Sequence, residues 1–434
     1  MERMTATLPP AICSSRSNCA PRVELLTNGA IVIAEQIPID AVNLNVWLGV
    51  GSAIETDDIN GMAHFLEHMV FKGTAQLQPG EFDRRVEARG AVMNAATSQD
   101  YTHYFITTAP QDFAQLVPLQ LDVVCNASIP DAEFERERLV VREEIRRSED
   151  NPTRRTYARA METCFPGLPY RRPILGPDAV IAGLVPDQMR AFHKRHYCPA
   201  AMTVAAVGNL PEQELIDIVT AGFDCVAPAS GDRVRHILPD LEPPFTEIVR
   251  HEYTDPQLQQ ARLVMLWRAP GLQDLDNTYA LDVLAAILGQ GKSSRLFRDL
   301  REERQLALSI SAYNATNKFQ GSFYISARLE TDRITATEAA LTDHVMRLQS
   351  ELVSDAELAR IRTQVANRFI FSSEKPSELA NLYGYYYSQL GDIAPALNYA
   401  ERVRRIEATD VRAAARQYLS PTAYGIVVAR PPAG

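Results

Sequence analysis

The spacing of apolar residues switches repeatedly between the two-residue period of strands and the longer period of helices. Residues 42–48 form an apolar strand pattern, and a polar loop separates them from a helical pattern around His64. Residues 91–98 and 103–108 are typical of a strand hairpin, and residues 131–149 of a long charged helix. Strands that alternate with helices but also pair as hairpins predict an α+β fold in which mixed sheets pack against helices.

A shift of about 220 residues brings the second half of the chain into register with the first. Residues 261–267 and 279–288 repeat the strand pattern and the helical pattern of the first half. The apolar face of the first helix is kept in the second copy, but its polar residues are not. In the second copy Asp282, Ala285 and Ala286 replace the polar residues His64, Glu67 and His68.

The repeat predicts two similar α/β-layered domains, because 434 residues exceed the size at which a single core usually stops growing. The predicted boundaries are residues 1–226 for the first domain and 245–434 for the second. Residues 227–244 are rich in Pro, Gly, Ser and Asp and lack apolar periodicity, which predicts a linker.

Composition excludes several classes of protein. Hydrophobic residues make up 46% of the chain, yet no apolar run reaches the ~18 residues that span a bilayer, so we expect no membrane segment. A formal net charge of -10 argues against a nucleic-acid partner. The six cysteines are scattered and are predicted to be reduced thiols. Residues 1–22 lack a secretory signal pattern, which favours a cytoplasmic location over a periplasmic or organellar one, although arginines among serines leave a transit segment as an alternative.

The first helix carries a set of residues with metal-binding chemistry. His64 and His68 are spaced i, i+4 and lie on one helical face, with Glu67 beside them. Burying these groups without partners among apolar residues would cost several kcal/mol, and a metal ion removes that cost. A catalytic zinc site usually has three protein ligands, and we predict Glu144 as the third. Glu137 lies two helical turns before Glu144, on the same face, and is predicted to orient a ligand.

This arrangement predicts one Zn²⁺ per chain and a peptidase. Zinc lowers the pKa of its water to about 7 and polarises a peptide carbonyl. Glu67 is then the general base, which takes the proton of the water and passes it to the leaving amine.

The motif His-x-x-Glu-His resembles that of the pitrilysin, insulin-degrading-enzyme and mitochondrial-processing-peptidase family. The resemblance extends over nearly the whole chain, and its further residues are found at 61–74, 94–102 and 135–145. In that family the third ligand lies about 76 residues beyond the second histidine, which implies Glu144 rather than Glu143. The family's substrate adds a strand to a sheet edge, and the resemblance implies that Asn94 and Ala95 belong to this edge.

One departure from the family concerns the partner. Family members carry an Arg and, seven residues on, a Tyr that help to hold the substrate and stabilise the tetrahedral intermediate. Here Arg301 matches, but Leu308 occupies the tyrosine position, and a lost contact of this kind is typically worth ~3 kcal/mol. Because two-subunit members divide these roles, the resemblance implies a heterodimer with a homologous subunit that supplies the Arg/Tyr pair. Tyr313 is an alternative source of the missing hydroxyl.

Two other functions remain open at the level of sequence. The fold also serves as a non-catalytic scaffold in respiratory-complex core proteins, although these typically lose the zinc residues. A homodimeric peptidase that needs no other partner is the second alternative. His103, His193 and His196 are predicted to be structural, with substrate contact as the alternative for His103. The loop 289–293 lacks the spacing of a phosphate-binding loop.

Overall fold

The two halves of the chain each build one mixed sheet in the computed structural model, which describes residues 20–226 and 239–432. Most of the predicted linker, and with it Cys13 and Cys19 near the start of the chain, lies outside the described residues. The predicted domain boundaries therefore remain a prediction. The strands are β1 Arg22–Leu25, β2 Ile31–Gln36, β3 Val42–Leu48, β4 Val92–Thr97, β5 Thr102–Thr108, β6 Met202–Gly208, β7 Val249–Thr254, β8 Ala261–Pro270, β9 Ser309–Ala315, β10 Gln320–Leu329 and β11 Gly425–Arg430.

The order of strands shows the internal repeat directly. The first sheet has the order β1-β2-β6-β3-β5-β4, and the second has the order β7-β11-β8-β10-β9. In each sheet a single parallel pair, β2 with β6 or β7 with β11, adjoins antiparallel pairs. Apart from β1, every strand of the first sheet has a counterpart at the same place in the second. The predicted fold class, two similar layered domains with mixed sheets, is confirmed.

Helices cover the faces of both sheets. The first half contributes α1 to α8 and the second half α9 to α14. Their bounds are α1 Met62–Val70, α2 Glu81–Glu87, α3 Pro110–Cys125, α4 Asp131–Glu149, α5 Pro152–Cys164, α6 Asp178–Gly183, α7 Pro186–His196, α8 Glu212–Gly222, α9 Thr278–Gly289, α10 Ile334–Ser350, α11 Asp355–Phe371, α12 Pro376–Leu390, α13 Ala394–Arg405 and α14 Ala408–Tyr418.

One helix of each half packs against the sheet of the other half. One face of the first sheet, with Ile33 and Val207, packs against Leu379 and Tyr383 of α12 from the second half. One face of the second sheet packs in the same way against α5 from the first half, around Met161. Both sheets are therefore buried on two sides, which explains why every residue of β3 and β6 is buried, including the polar Asn43, Asn45 and Thr203.

Polar contacts also join the halves near the end of β4. The carboxylate of Asp100 accepts hydrogen bonds from the backbone N–H of Lys318, at 2.8 Å, and from the hydroxyl of Tyr170, at 3.0 Å. The same hydroxyl accepts the N–H of Phe319 at 2.9 Å. The loop between β4 and β5 is thus held against the second half.

Asp282, which the repeat aligns with His64, lies half-buried in a polar cluster of the second half. Its carboxylate accepts hydrogen bonds from the side-chain amide of Asn314, at 2.9 Å, and from the hydroxyl of Tyr399, at 2.8 Å. Burial raises the pKa of Asp282 to about 6, although both hydrogen bonds lower it. The position therefore holds a half-buried acid with two partners where the first half has a histidine.

Asp282→Asn is expected to change how stability depends on pH. Because the folded pKa lies above the unfolded value, the protonated acid stabilises the fold at low pH, and this stability is lost as pH rises from about 4 through about 6. The free energy of unfolding of the wild type, minus that of the variant, should fall by about 2 kcal/mol between about pH 4.5 and about pH 7. Denaturant titrations at both pH values measure this difference, and a difference independent of pH would contradict it.

None of the four cysteines within the described residues forms a disulfide. No helix in the described part of the chain combines the length and the apolar character needed to cross a membrane.

Candidate metal centre

The helix α1 begins at a glycine and takes its capping group from outside the helix. Gly61 has φ of +98°, and a Cβ there would lie 2.6 Å from the carbonyl oxygen of Leu175, so only glycine fits. Without a capping side chain, the first N–H groups of α1 need another acceptor. The carboxylate of Glu55 fills this role: it accepts the N–H of Gly61 at 2.8 Å and that of Ala63 at 2.7 Å.

Glu55 is itself fixed by burial and by a third hydrogen bond. It is 3% exposed and accepts the side-chain amide of Asn60 at 2.8 Å. Burial raises its pKa, while the hydrogen bonds from Ala63, Asn60 and Gly61 oppose this shift. Glu55 was not predicted from the sequence. The usable signal was an acid shortly before a helix whose start offers only glycine.

His64, His68 and Glu144 come together between α1 and α4. Their potential ligand atoms all lie within 4.8 Å of one another. Nε2 of His64 and Nε2 of His68 lie 3.6 and 3.7 Å from the same oxygen, Oε2 of Glu144. Ligands about 2.1 Å from one tetrahedral zinc ion are separated by about 3.4 Å, so these two distances fit zinc. Among the described residues this is the one group with such geometry.

Glu137 holds the ring of His68 from the side away from Glu144. Oε1 of Glu137 lies 2.9 Å from Nδ1 of His68, which leaves Nε2 of that ring directed at Glu144. Oε2 of Glu137 lies 2.8 Å from Nζ of Lys72. Glu137 was predicted from the sequence, but Lys72 was not. The signal for Lys72 was its place four residues after His68, two residues beyond the end of α1.

Charges and burial give the two histidines different proton affinities. Burial and the neighbouring charge of His68 lower the pKa of His64 to about 3, so this ring is neutral, as a metal ligand must be. Burial also opposes protonation of His68, but the hydrogen bond and the charge of Glu137 raise its pKa overall. Burial raises the pKa of Glu137, yet its contacts with His68 and Lys72 lower it overall.

Glu67 projects beside the three ligand atoms toward the end of β4. Its Oε2 accepts the hydroxyl of Thr97 at 2.5 Å, and the backbone of Thr97 contributes a second hydrogen bond. Burial raises the pKa of Glu67, and the hydroxyl of Thr97 opposes that shift. A carboxylate with a raised pKa next to a metal-ligand cluster is suited to accept a proton.

Asn94 and Ala95 lie on β4, which is an edge strand of the first sheet. The side-chain oxygen of Asn94 accepts the N–H of Ala95 at 2.9 Å. Because β4 has a neighbouring strand on one side only, its other side is open to an added strand. β4 ends at Thr97, beside Glu67.

Arg301 and Leu308 lie in the second half. The guanidinium of Arg301 stacks on the ring of Phe297, 4.6 Å from its centre, and lies 3.8 Å from Glu302, so both contacts are local. Leu308 precedes β9 and is 39% exposed. Tyr313 lies on β9, with its ring 5.2 Å from that of Tyr324. The structure does not bring these residues into contact with the metal-ligand cluster.

The remaining histidines of the sequence analysis have local partners. His103 is buried, stacks on Trp47 and hydrogen-bonds the side chain of Asn45 at 3.0 Å. Nε2 of His193 contacts the carbonyl of Val124 at 2.8 Å. The third, His196, is buried on α7.

Comparison with known proteins assigns the chain to a family. Residues 30–178 match the family model described as "Insulinase (Peptidase family M16)", and residues 183–365 match "Peptidase M16 inactive domain". The chain belongs to peptidase family M16. The resemblance inferred from the zinc motif is thereby confirmed.

The similarity of this M16 chain to its relatives covers most of its length. An "Uncharacterized zinc protease" of Rickettsia bellii is 27% identical, and the match covers 94% of this chain and 97% of the relative. The "Probable mitochondrial-processing peptidase subunit beta, mitochondrial" of Arabidopsis thaliana is 26% identical, with coverage of 92% and 76%. A crystal structure of a protease from Helicobacter pylori superposes with a TM-score of 0.86 at 25% identity, covering 95% of this chain and 99% of that one.

Proposed function

We propose that this M16 chain is a zinc-dependent endopeptidase subunit that hydrolyses peptides or unfolded polypeptides. The observation that carries the proposal is the cluster of His64, His68 and Glu144, with ligand atoms within 4.8 Å of one another and Glu67 beside it. The names of the relatives as zinc proteases support the same metal.

The residues present fit one zinc ion. Two imidazoles and one carboxylate are a donor set of catalytic zinc sites, and the contact of Glu137 with His68 is the support that such ligands usually have. A zinc ion held by these three residues supplies a Lewis acid that polarises a peptide carbonyl and lowers the pKa of water.

The chain's own residues would then divide the reaction between them. A peptide added along β4 forms main-chain hydrogen bonds with the region of Asn94 and Ala95, which brings its backbone to the end of the strand. Glu67, held there by Thr97, accepts a proton from the attacking water and returns it to the departing amine. The helix α1 keeps its place through Glu55 while these steps occur.

The proposal includes a homologous partner subunit. Leu308 cannot donate a hydrogen bond to the oxyanion, and Arg301 is engaged by Phe297 and Glu302. The likeness to a relative named as a beta subunit supports a partner that supplies the Arg/Tyr pair.

The zinc content and zinc affinity of the purified chain test the metal site. The purified chain should hold about one zinc per molecule, and Glu144→Gln should weaken zinc binding by at least about a hundredfold, because a charged ligand is lost. Glu143→Gln is the matched control: Glu143 is the next residue on α4 and pairs with Arg147. Metal analysis and competition with a chelator give both affinities. A chain without zinc, or equal losses in both variants, would contradict the site and favour the scaffold.

The same preparation tests the partner through its hydrolysis of peptides. Little chelator-sensitive hydrolysis by the lone zinc-loaded chain, and at least about a hundredfold more with a homologous subunit that carries the Arg/Tyr pair, is the expected result. Robust chelator-sensitive hydrolysis by the lone chain would keep the peptidase and refute the partner argument from Leu308.

A further inference from the structure

The pairing of β4 with β5 determines which backbone groups of β4 face the open edge. In an antiparallel pair, alternate residues bond to the neighbouring strand and the residues between them point away. The N–H of Ser98 donates to the carbonyl of Tyr101 at 2.8 Å, so Ser98 faces β5. With Ala95 opposite Tyr104 and Thr97 opposite Thr102, the N–H groups of Ala95 and Thr97 therefore face the edge.

Both of these outward N–H groups have an acceptor from nearby. The N–H of Ala95 donates a hydrogen bond to the side-chain oxygen of Asn94. A substrate strand can replace this acceptor, because only the side chain of Asn94 has to rotate away. The N–H of Thr97 is bonded by Glu67, whose Oε2 also accepts the hydroxyl of Thr97 at 2.5 Å. The carboxylate of Glu67 therefore lies where an added strand would form its next hydrogen bond with β4, two residues or about 7 Å beyond Ala95.

The hydroxyl of Thr97 is itself supported from below. The hydroxyl of Thr102 shares its one proton between the hydroxyl of Thr97, at 3.2 Å, and the carbonyl of Val50, at 2.8 Å. Thr102 is fully buried in β5, so this support is rigid. The carboxylate of Glu67 is held by a chain of contacts that ends in the core of the first sheet.

We propose that Thr97 is a positioning residue, whose hydroxyl holds the carboxylate of Glu67 in line with the edge ladder of β4. β4 carries both the backbone groups that bind a substrate strand around Ala95 and the hydroxyl that holds Glu67. A substrate strand paired with β4 is therefore aligned with the general base. Thr97 contacts neither the predicted metal ligands nor, in this role, the substrate itself. The inference rests on the proposed peptidase function and adds the residue that fixes its base.

Thr97→Val and Thr97→Ser separate the hydroxyl from the shape of the side chain. Valine keeps the volume and favours a strand, but loses a hydrogen bond to a charged group, so kcat should fall by about tenfold to about a hundredfold. KM, zinc content and the midpoint of thermal unfolding should stay at wild-type values, since the edge and the ligands are untouched. Serine restores the hydroxyl and should restore kcat.

Thr108→Val is the matched control. Thr108 is a buried threonine of β5 whose hydroxyl has no hydrogen-bond partner in the described part of the chain, so its loss should leave kcat unchanged. The assays use the full chain under the conditions in which wild-type hydrolysis is measured.

Two results overturn the inference while the peptidase stands: a Thr97→Val variant with wild-type kcat, or a Thr97→Ser variant as slow as the valine variant. A wild type that hydrolyses no peptide with zinc bound, alone or with the homologous subunit, removes the proposed function and the inference together. The behaviour of the wild type therefore distinguishes the two failures.

Discussion

Replacing Glu67 by glutamine is expected to lower kcat for peptide hydrolysis by about a thousandfold while leaving zinc bound. Glutamine has the shape of glutamate and its carbonyl oxygen can still accept the hydroxyl of Thr97, so the fold of the site is retained. It cannot accept a proton, and general base catalysis by a positioned group typically contributes about 10² to about 10⁴ in rate. Steady-state kinetics with zinc analysis on the same sample measure both effects.

Glu143→Gln is also the control for Glu67→Gln, because it removes an exposed carboxylate near the metal-ligand cluster without changing Glu67. Its kcat should equal that of the wild type. If Glu67→Gln loses zinc as well as activity, Glu67 is a ligand rather than the base. If it keeps full activity with zinc bound, another group accepts the proton and the assignment of the base is wrong.

Local periodicity was sufficient to predict several elements of the fold. The strand pattern at 42–48 and the helical pattern at 131–149 coincide with β3 and α4. The hairpin predicted around residues 91–108 is formed by β4 and β5. These segments have strongly periodic apolar residues with clear stops, so their local preference and their buried face agree.

The exchange of α5 and α12 between the halves could not be predicted from periodicity. An apolar helical face indicates that the helix is buried, but not which sheet buries it. In β3 the polar Asn43 and Asn45 alternate with apolar residues, so its sequence showed no sign of a further layer on the second face of the sheet, although the whole strand is buried. The residues that identify this layer lie more than 330 positions away along the chain, beyond the reach of local patterns.

The polar side chains around the metal-ligand cluster were predicted only where a spacing rule applied. His64 and His68 follow the helical period, and Glu137 follows it relative to Glu144, and the structure places these four side chains together. Glu55 and Thr97 act across turns and strands, where no fixed spacing relates them to α1. Their contacts depend on the positions of whole elements, which the sequence alone does not give.

Replacing Gly384 by alanine is expected to destabilise the fold by about 2 kcal/mol or more. Gly384 lies in α12 against β3, and a Cβ there would be 2.1 Å from Nε1 and 2.2 Å from Cδ1 of Trp47. The indole is rigid and fully buried, so α12 must move away from the sheet. The helical preference of alanine over glycine returns at most about 1 kcal/mol, whereas overpacking costs about 1–3 kcal/mol and occasionally more.

Gly183→Ala separates the clash from the helical preference. Gly183 ends α6, has open space where its Cβ would be, and is expected to gain a few tenths of a kcal/mol to about 1 kcal/mol. Denaturant unfolding of both variants gives the comparison. Opposite signs would show that the close approach of α12 to Trp47 sets the stability of the contact between the halves. Equal gains would show that α12 packs more loosely on the first sheet, and that the exchanged helix adds little to the coupling of the halves.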